Sequence, residues 1–497
     1  MPTHLTRRSL LAAGIALAAP SPQSSTISLP DPLIAEAYEK AASLNVLAAV
    51  NPHVFPGYFS VCADGRGFGY GNTYPSLDGH QMTDALLWLD QVDTAKRNWD
   101  YVRTFQRADG DLPLAILPSR AGQDIGPKGY PGIVDANGGL YVHWVPGNPL
   151  AALASPTYIQ NADVIFRRTQ DRTWLAEQIS SINRAADFLA SLTTPEGAVG
   201  GGGYYLERPP RLKFDGVTQS HAADAFSRVA ALNRLLKHEA AGARYAKLAQ
   251  KIRTNFTTRF WMHDHFAEYI HPQRGKIDLH GLTDTDWAAL AFGVATPEQQ
   301  AVLWPRLRRD PRFYYGGMPT GIATEPDKYQ DWEFNYTDRM DLAAMGRVWY
   351  VEAQARARMN DAEGLLESIR KVAEKGRAAG YYWRERYGEK GGYGAQKYCE
   401  YPANLIRIVQ RFLLGVNLAL DGTLTLSPLV PQDFWAQGFG QTLTWRQRTL
   451  TYQIRRDRLH GEYAGPQPQQ LRIKGLTKTL PAAETPKSFD YRILNNS

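Results

Sequence analysis

Leu414-Gly415-Val416-Asn417-Leu418-Ala419-Leu420-Asp421-Gly422-Thr423-Leu424-Thr425-Leu426-Ser427-Pro428 divides the chain into two regimes. Before it, apolar residues recur at the helical period. After it they alternate with polar ones, at Leu424 and Leu426 and then at Leu443, Trp445, Leu450, Tyr452 and Ile454, as half-buried strands do. Gly422, Pro428, Pro431, Gly438 and Gly440 punctuate that tail. Residues 415–497 therefore read as a small β-rich module.

Working back towards the N-terminus, helix-period stretches occupy roughly 32–49, 79–90, 94–106, 157–169, 172–192, 218–237, 240–259, 284–293, 297–308, 336–358, 361–377 and 402–414. Asp31-Pro32 and Thr296-Pro297-Glu298 mark helix starts, a capping oxygen followed by proline in the first turn. Short hinges such as Gln170-Asp171-Arg172 and Asn360-Asp361-Ala362 join neighbours, which implies antiparallel helix pairs. Between the pairs lie long irregular segments, roughly 108–156, 193–217, 260–283, 309–335 and 378–400. If each pair is a hairpin, these segments all emerge at one end. The spacing between hinges varies too much for a short exact repeat, so an open solenoid is the runner-up. The fold expected for residues 26–414 is a mainly α (α/α)6 toroid of six hairpins, with the β-rich module appended.

Composition sets the class. The chain has 497 residues, 43% hydrophobic and 21% charged, enough for a large core. The net charge of +7 is spread along the chain without a basic run, which argues against a nucleic-acid partner. The two cysteines, Cys62 and Cys399, are too few for a disulfide framework or a Cys-rich zinc module. Residues 1–25 read as an export signal. Arg7-Arg8 precede an apolar run, Leu10 to Ala19, too short to span a bilayer, and the adjacent arginines are of the twin-arginine type. The expectation is a bacterial periplasmic or secreted protein whose precursor meets the twin-arginine machinery and whose mature form has no membrane partner.

Carboxylates and aromatic rings concentrate in the long segments. Sugars offer flat C–H faces to rings and hydroxyls to carboxylates, and glycosidic bonds are cut by two carboxyl groups, one donating a proton and one activating water or attacking. A carbohydrate substrate, no cofactor and no metal follow. His263-Asp264-His265 lacks a third ligand at useful spacing, and the glycine-rich Gly65–Gly71 run lacks the strand and helix that a nucleotide loop needs.

At three places the chain resembles the six-hairpin glycosidases, the superfamily of α-L-rhamnosidases, trehalases and related glucosidases. Trp383-Arg384-Glu385-Arg386-Tyr387 with Gly391-Gly392-Tyr393-Gly394 resembles the Trp-Glu-aromatic element whose glutamate is the base, although Arg384 interrupts it. The stretch at 414–431 resembles the turn from the last barrel helix into the superfamily's β-module. Gly203-Tyr204-Tyr205-Leu206-Glu207-Arg208-Pro209 occupies the loop where relatives keep the general acid, without their usual Gly-Asp-Trp or Glu-Ser-Gly pattern.

The resemblance implies Glu385 as general base and Glu207 as general acid, with inversion at the sugar. Arg384 and Arg386 beside Glu385 favour a charged carboxylate. Asp215 is the rival acid and Glu400 the reserve base, though a glutamate opening a helix is also favoured by the helix dipole. Asp78 is first a helix cap and second a ligand for sugar hydroxyls. Tyr204, Tyr205, Trp332 and Trp383 are candidate sugar-binding rings, against core packing for the tryptophans. A polysaccharide lyase on a similar toroid, drawing on Asn137, His143 and Arg347, and a non-catalytic carbohydrate binder are the alternatives.

Overall fold

The computed structural model of the chain describes residues 26–50, 59–64, 76–113, 115–118, 132–134, 140–143, 152–200, 213–309, 311–321, 328–333, 342–388 and 390–493. Half of the fold is helical and its C-terminal region is β-rich. The long helices are α1 (Pro32–Lys40), α2 (Ser76–Trp88), α3 (Val92–Arg103), α4 (Ala154–Thr169), α5 (Arg172–Ser191), α6 (Gly216–Leu235), α7 (Glu239–Arg259), α8 (Asp284–Ala291), α9 (Pro297–Leu307), α10 (Gly346–Arg358), α11 (Ala362–Ala378) and α12 (Glu400–Ile408). Single π-type turns, Ala41–Val46 and Val409–Leu413, extend α1 and α12.

The helix starts follow from side-chain chemistry. Asp31 Oδ1 accepts from Leu33 N at 3.0 Å and Ile34 N at 3.2 Å ahead of Pro32, and Thr296 with Gln299 closes a reciprocal capping box on α9. The helical pattern expected over 336–358 is a helix from Gly346; residues 334–341 lie outside the described residues, and 342–345 are not helical. The reason lies outside the helix: the Ala344 backbone exchanges hydrogen bonds with Tyr387 (2.9 and 3.0 Å), so its N–H and carbonyl are committed elsewhere.

Even-numbered helices pack on one another in succession, α2 on α4, α4 on α6, α6 on α8, α8 on α10, α10 on α12, and α12 again on α2. Odd-numbered helices lie against their sequence neighbours, as α3 does on α4 and α7 on α6. Every long segment therefore ends ahead of an even-numbered helix, and several of them touch through their described residues. Phe214–Asp215 pairs with Tyr269–His271, Glu268 and His280 bond to groups at 329–333, and Cys62 bridges Tyr398.

In the β-rich region, strands Phe439–Trp445, Arg448–Arg455, Arg458–Gly465 and Ala483–Arg492 form an antiparallel sheet. Ile27–Ser28, from before α1, adds a fifth strand at its edge. Val416–Leu418, Leu424–Leu426, Gln469–Ile473 and Leu476–Leu480 form a second sheet with one parallel pair. One apolar core runs from Ile34 and Tyr38 through Trp349 to Leu443 and Tyr452, so helices and sheets share it. Arg167 and Gln170 at the end of α4 donate to the carbonyls of Leu418 (3.3 Å) and Ala419 (3.0 Å), fixing the module against the helices. Among the described residues no helix is long and apolar enough to cross a membrane.

Candidate functional site

Three N-termini of even-numbered helices meet around Tyr398. The Tyr398 hydroxyl donates to Asp78 Oδ2 at 2.7 Å. Arg347, in the first turn of α10, reaches Glu400 at the start of α12 with both ends of its fork, Nε to Oε1 at 2.9 Å and Nη2 to Oε2 at 3.2 Å. Its backbone N–H also donates to Glu400, and Nη2 stands 3.8 Å from Asp78 Oδ1. Glu385 lies near enough for its charge to act on Tyr398. It is buried, ion-paired with Arg386, and accepts from Ala395 N at 3.0 Å. Gly394, at φ +75°, passes so close that a Cβ there would lie 2.7 Å from Glu385 Oε2.

Burial dominates the electrostatics of this cluster. It pushes the Glu400 carboxyl up to about 7, with Arg347 pulling it down and the Asp78 charge pushing it further up. The Tyr398 phenol is raised well above its ordinary value by burial and then by Asp78. Arg347, faced by two carboxylates, binds its proton more tightly than usual even though burial opposes this.

A second cluster joins the segments before α8 and α10. His280, buried, bonds through Nδ1 to Glu268 and through Nε2 to Glu333 Oε2 at 3.1 Å. Tyr269 donates to Glu333 Oε1 at 2.6 Å, and Tyr329 stacks on the His280 ring with centroids 3.7 Å apart. Burial alone would lower the imidazole pKa; the Glu268 charge and the hydrogen bonds to Glu268 and Glu333 raise it to about 9. His280 is thus an imidazolium between two carboxylates.

The expected site residues fall in different places. Glu385, Glu400 and Asp78 come together around Tyr398 and Arg347. Asp78 is not the cap of its helix: α2 begins at Ser76 and Asp78 is its third residue, held by the Tyr398 hydroxyl. Arg386 pairs with Glu385 as its position suggests, whereas Arg384 turns towards the Gly394 carbonyl. Asp215 is fully buried as the cap of α6, accepting from Thr218 N (2.6 Å) and Oγ1 (2.7 Å).

Trp383 corrects the reading of a sugar platform. Its ring is 0% exposed, lies over α11, and donates from Nε1 to the Val372 carbonyl at 3.1 Å, so no face is left for a sugar. Trp332 keeps partial exposure, with Arg274 over its ring at 4.1 Å. Glu207, Tyr204, Tyr205 and Asn137 lie outside the described residues, as does the side chain of His143. Sequence reasoning missed Tyr398 and His280 altogether; only their place in carboxylate-rich segments could have flagged them.

No family model matches the chain, and no curated protein matches it. Solved structures do. A GH78 family rhamnosidase of Bacillus sp. GL1 superposes with a TM-score of 0.65 at 12% identity over 90% of this chain and 42% of that one. An α-L-rhamnosidase from Aspergillus terreus gives 0.61 at 10% identity over 95% and 50%. The Streptomyces avermitilis α-L-rhamnosidase complexed with L-rhamnose gives 0.55 at 11% over 94% and 42%. The chain spans half or less of these enzymes' length. What it shares with the rhamnosidases is the fold, traced over nearly its whole length.

Proposed function

We propose that the chain is an exported glycoside hydrolase that cleaves an O-glycosidic bond of an oligosaccharide or glycoside, built on an (α/α)6 toroid whose inner ring is α2, α4, α6, α8, α10 and α12. Glu385 is the general base and Glu207 the general acid, acting with inversion. The observation that carries this reading is the gathering of Glu385 with Asp78 and Glu400, the latter two at the N-termini of ring helices, around Tyr398, on a fold shared with rhamnosidases. Glu385 has the right chemistry for a base. Arg386 and the Ala395 N–H orient it, and close passage of Gly394 fixes one of its oxygens. An inverting pair leaves room for a water, so the Glu207 and Glu385 carboxyls should stand about 6.5–9.5 Å apart. Glu400 near neutrality could hold a proton as well as release one, and Asp215 is committed as a cap; these are the next residues to test.

The test is turnover. Purified mature protein is screened on aryl glycosides, α-L-rhamnosides first, and Glu385→Gln is then compared on whichever is cleaved. A fall of about a hundredfold or more with unchanged folding supports the assignment. Wild-type rates in Glu385→Gln discard it. Release of an unsaturated, ultraviolet-absorbing product from a uronate polymer would show a lyase instead.

A further inference from the structure

Inward from Arg347 a cavity of about 230 Å3 runs through the middle of the even-numbered helices to Asn417. At about 30 Å3 per water it would hold roughly seven waters, or one small organic molecule. Among the described residues its wall carries four guanidinium groups, Arg228, Arg347, Arg407 and Arg411, against a single carboxylate, Asp84. Both oxygens of Asp84 are taken. Arg407 Nε (2.8 Å) and Arg411 Nε (2.9 Å) share Oδ2, and Arg411 Nη2 holds Oδ1 at 2.5 Å. Two positive charges thus share one negative charge. Arg228, across the cavity, is balanced from behind by Asp224 (2.7 Å) and by Asp163, which also binds Arg167. The excess of one positive charge is therefore local to the Arg407–Asp84–Arg411 clamp.

The neighbouring histidines neither add to this charge nor cancel it. Burial, then the Arg407 charge, pushes His80 down to about 3, and burial with His80 and Arg228 nearby holds His221 well below its ordinary value. Both are neutral in the physiological range. Gln81 supplies the independent sign of a ligand. It is 2% exposed, its Oε1 accepts from Asn404 at 2.7 Å, and its Nε2 has no partner among the described residues. A buried amide donor without an acceptor has lost its hydration for nothing, a cost that a ligand oxygen would relieve.

We propose that this cavity binds a small molecule bearing one anionic group, carboxylate or phosphate, at the Arg411 edge of the clamp facing Arg228, with Gln81 Nε2 donating to the same ligand. The site lies deeper than the carboxylates at the helix N-termini and does not depend on their role.

Calorimetric titration of the full-length mature protein with glucuronate, with glucose as a size-matched neutral probe, and with inorganic phosphate tests it. Glucuronate should bind at least about tenfold more tightly than glucose, and more weakly as salt is raised. Arg411→Gln should weaken glucuronate at least about tenfold. Because that change also disturbs Asp84, Gln81→Met serves as a second variant; it keeps Asp84 and both its arginines and should weaken glucuronate several-fold. Phosphate binding alone would assign a free anion, and glucuronate binding a sugar acid; both support an anion site. Glu385→Gln should bind glucuronate like the wild type, so loss of the hydrolase reading leaves this result standing. Measurable binding of glucose and glucuronate with equal affinity, no binding of either anion up to about 10 mM, or anion binding untouched by both variants overturns the proposal.

Discussion

His280 and His80 set opposite limits on the molecule's pH range. The folded state raises His280 from its ordinary 6.5 to about 9, so its contribution is complete below 6.5 and is lost as pH climbs through 9. His80 is depressed to about 3, so its contribution holds above 6.5 and drains away as pH falls towards 3. Thermal unfolding should therefore be latest at pH 6–7, with each limb on the order of 1–3 kcal/mol. His280→Gln should flatten the alkaline limb alone. A melting temperature in that variant that still falls between pH 7 and 9 as steeply as in wild type would show that the imidazolium is not its source. At the same scale, Asp215→Asn separates two roles. The amide keeps an acceptor for Thr218, so a capping residue loses little stability and no turnover, whereas a catalytic acid loses turnover with folding intact.

Among the elements, the turn after α12 admits little variation. Gly415 has φ +66°, and a Cβ there would lie 2.0 Å from the Ser427 carbonyl carbon. Ser427 N donates to the Gly415 carbonyl at 2.9 Å, so the two chain segments cross with only backbone between them. Gly415→Ala should cost at least about 1–3 kcal/mol in urea unfolding. A cost within a few tenths of zero would mean that the crossing relaxes freely. The segments ahead of the even-numbered helices behave differently. They are held by pairings between distant residues, such as Ala344 with Tyr387 and Tyr398 with Asp78, and substitutions there should alter activity before stability.

For the molecule as a whole, the shared core predicts that helices and β-rich region melt together. Ile34, Trp349, Leu443 and Tyr452 belong to one cluster, and the Ile27–Ser28 strand ties the start of the chain to the far sheet. Calorimetry should show one transition; two resolved transitions would divide the chain near 414 as its sequence pattern does. Export is a prediction about the precursor. Arg7→Lys with Arg8→Lys should leave it in the cytoplasm, and normal export of that variant would refute a twin-arginine route.

Local chemistry wrote the elements into the sequence. Helical period placed all twelve long helices of the described residues, Asp31 and Thr296 announced their starts, and alternation after Leu414 announced strands, because each of these signals is carried by residues a turn or a pleat apart. The helical pattern overran at 342–345, just before Gly346, where Tyr387 takes the backbone of Ala344 from more than forty positions away. The candidate site was legible as residue types in the right segments, Glu385, Glu400 and Asp78 among them. Their partners were not. Which arginine holds Glu400, that Tyr398 serves Asp78, that Trp383 is core, and that four arginines line one cavity are all contacts between residues remote in sequence. Burial and charge proximity there depend on how the helices pack, and only tertiary structure decides that.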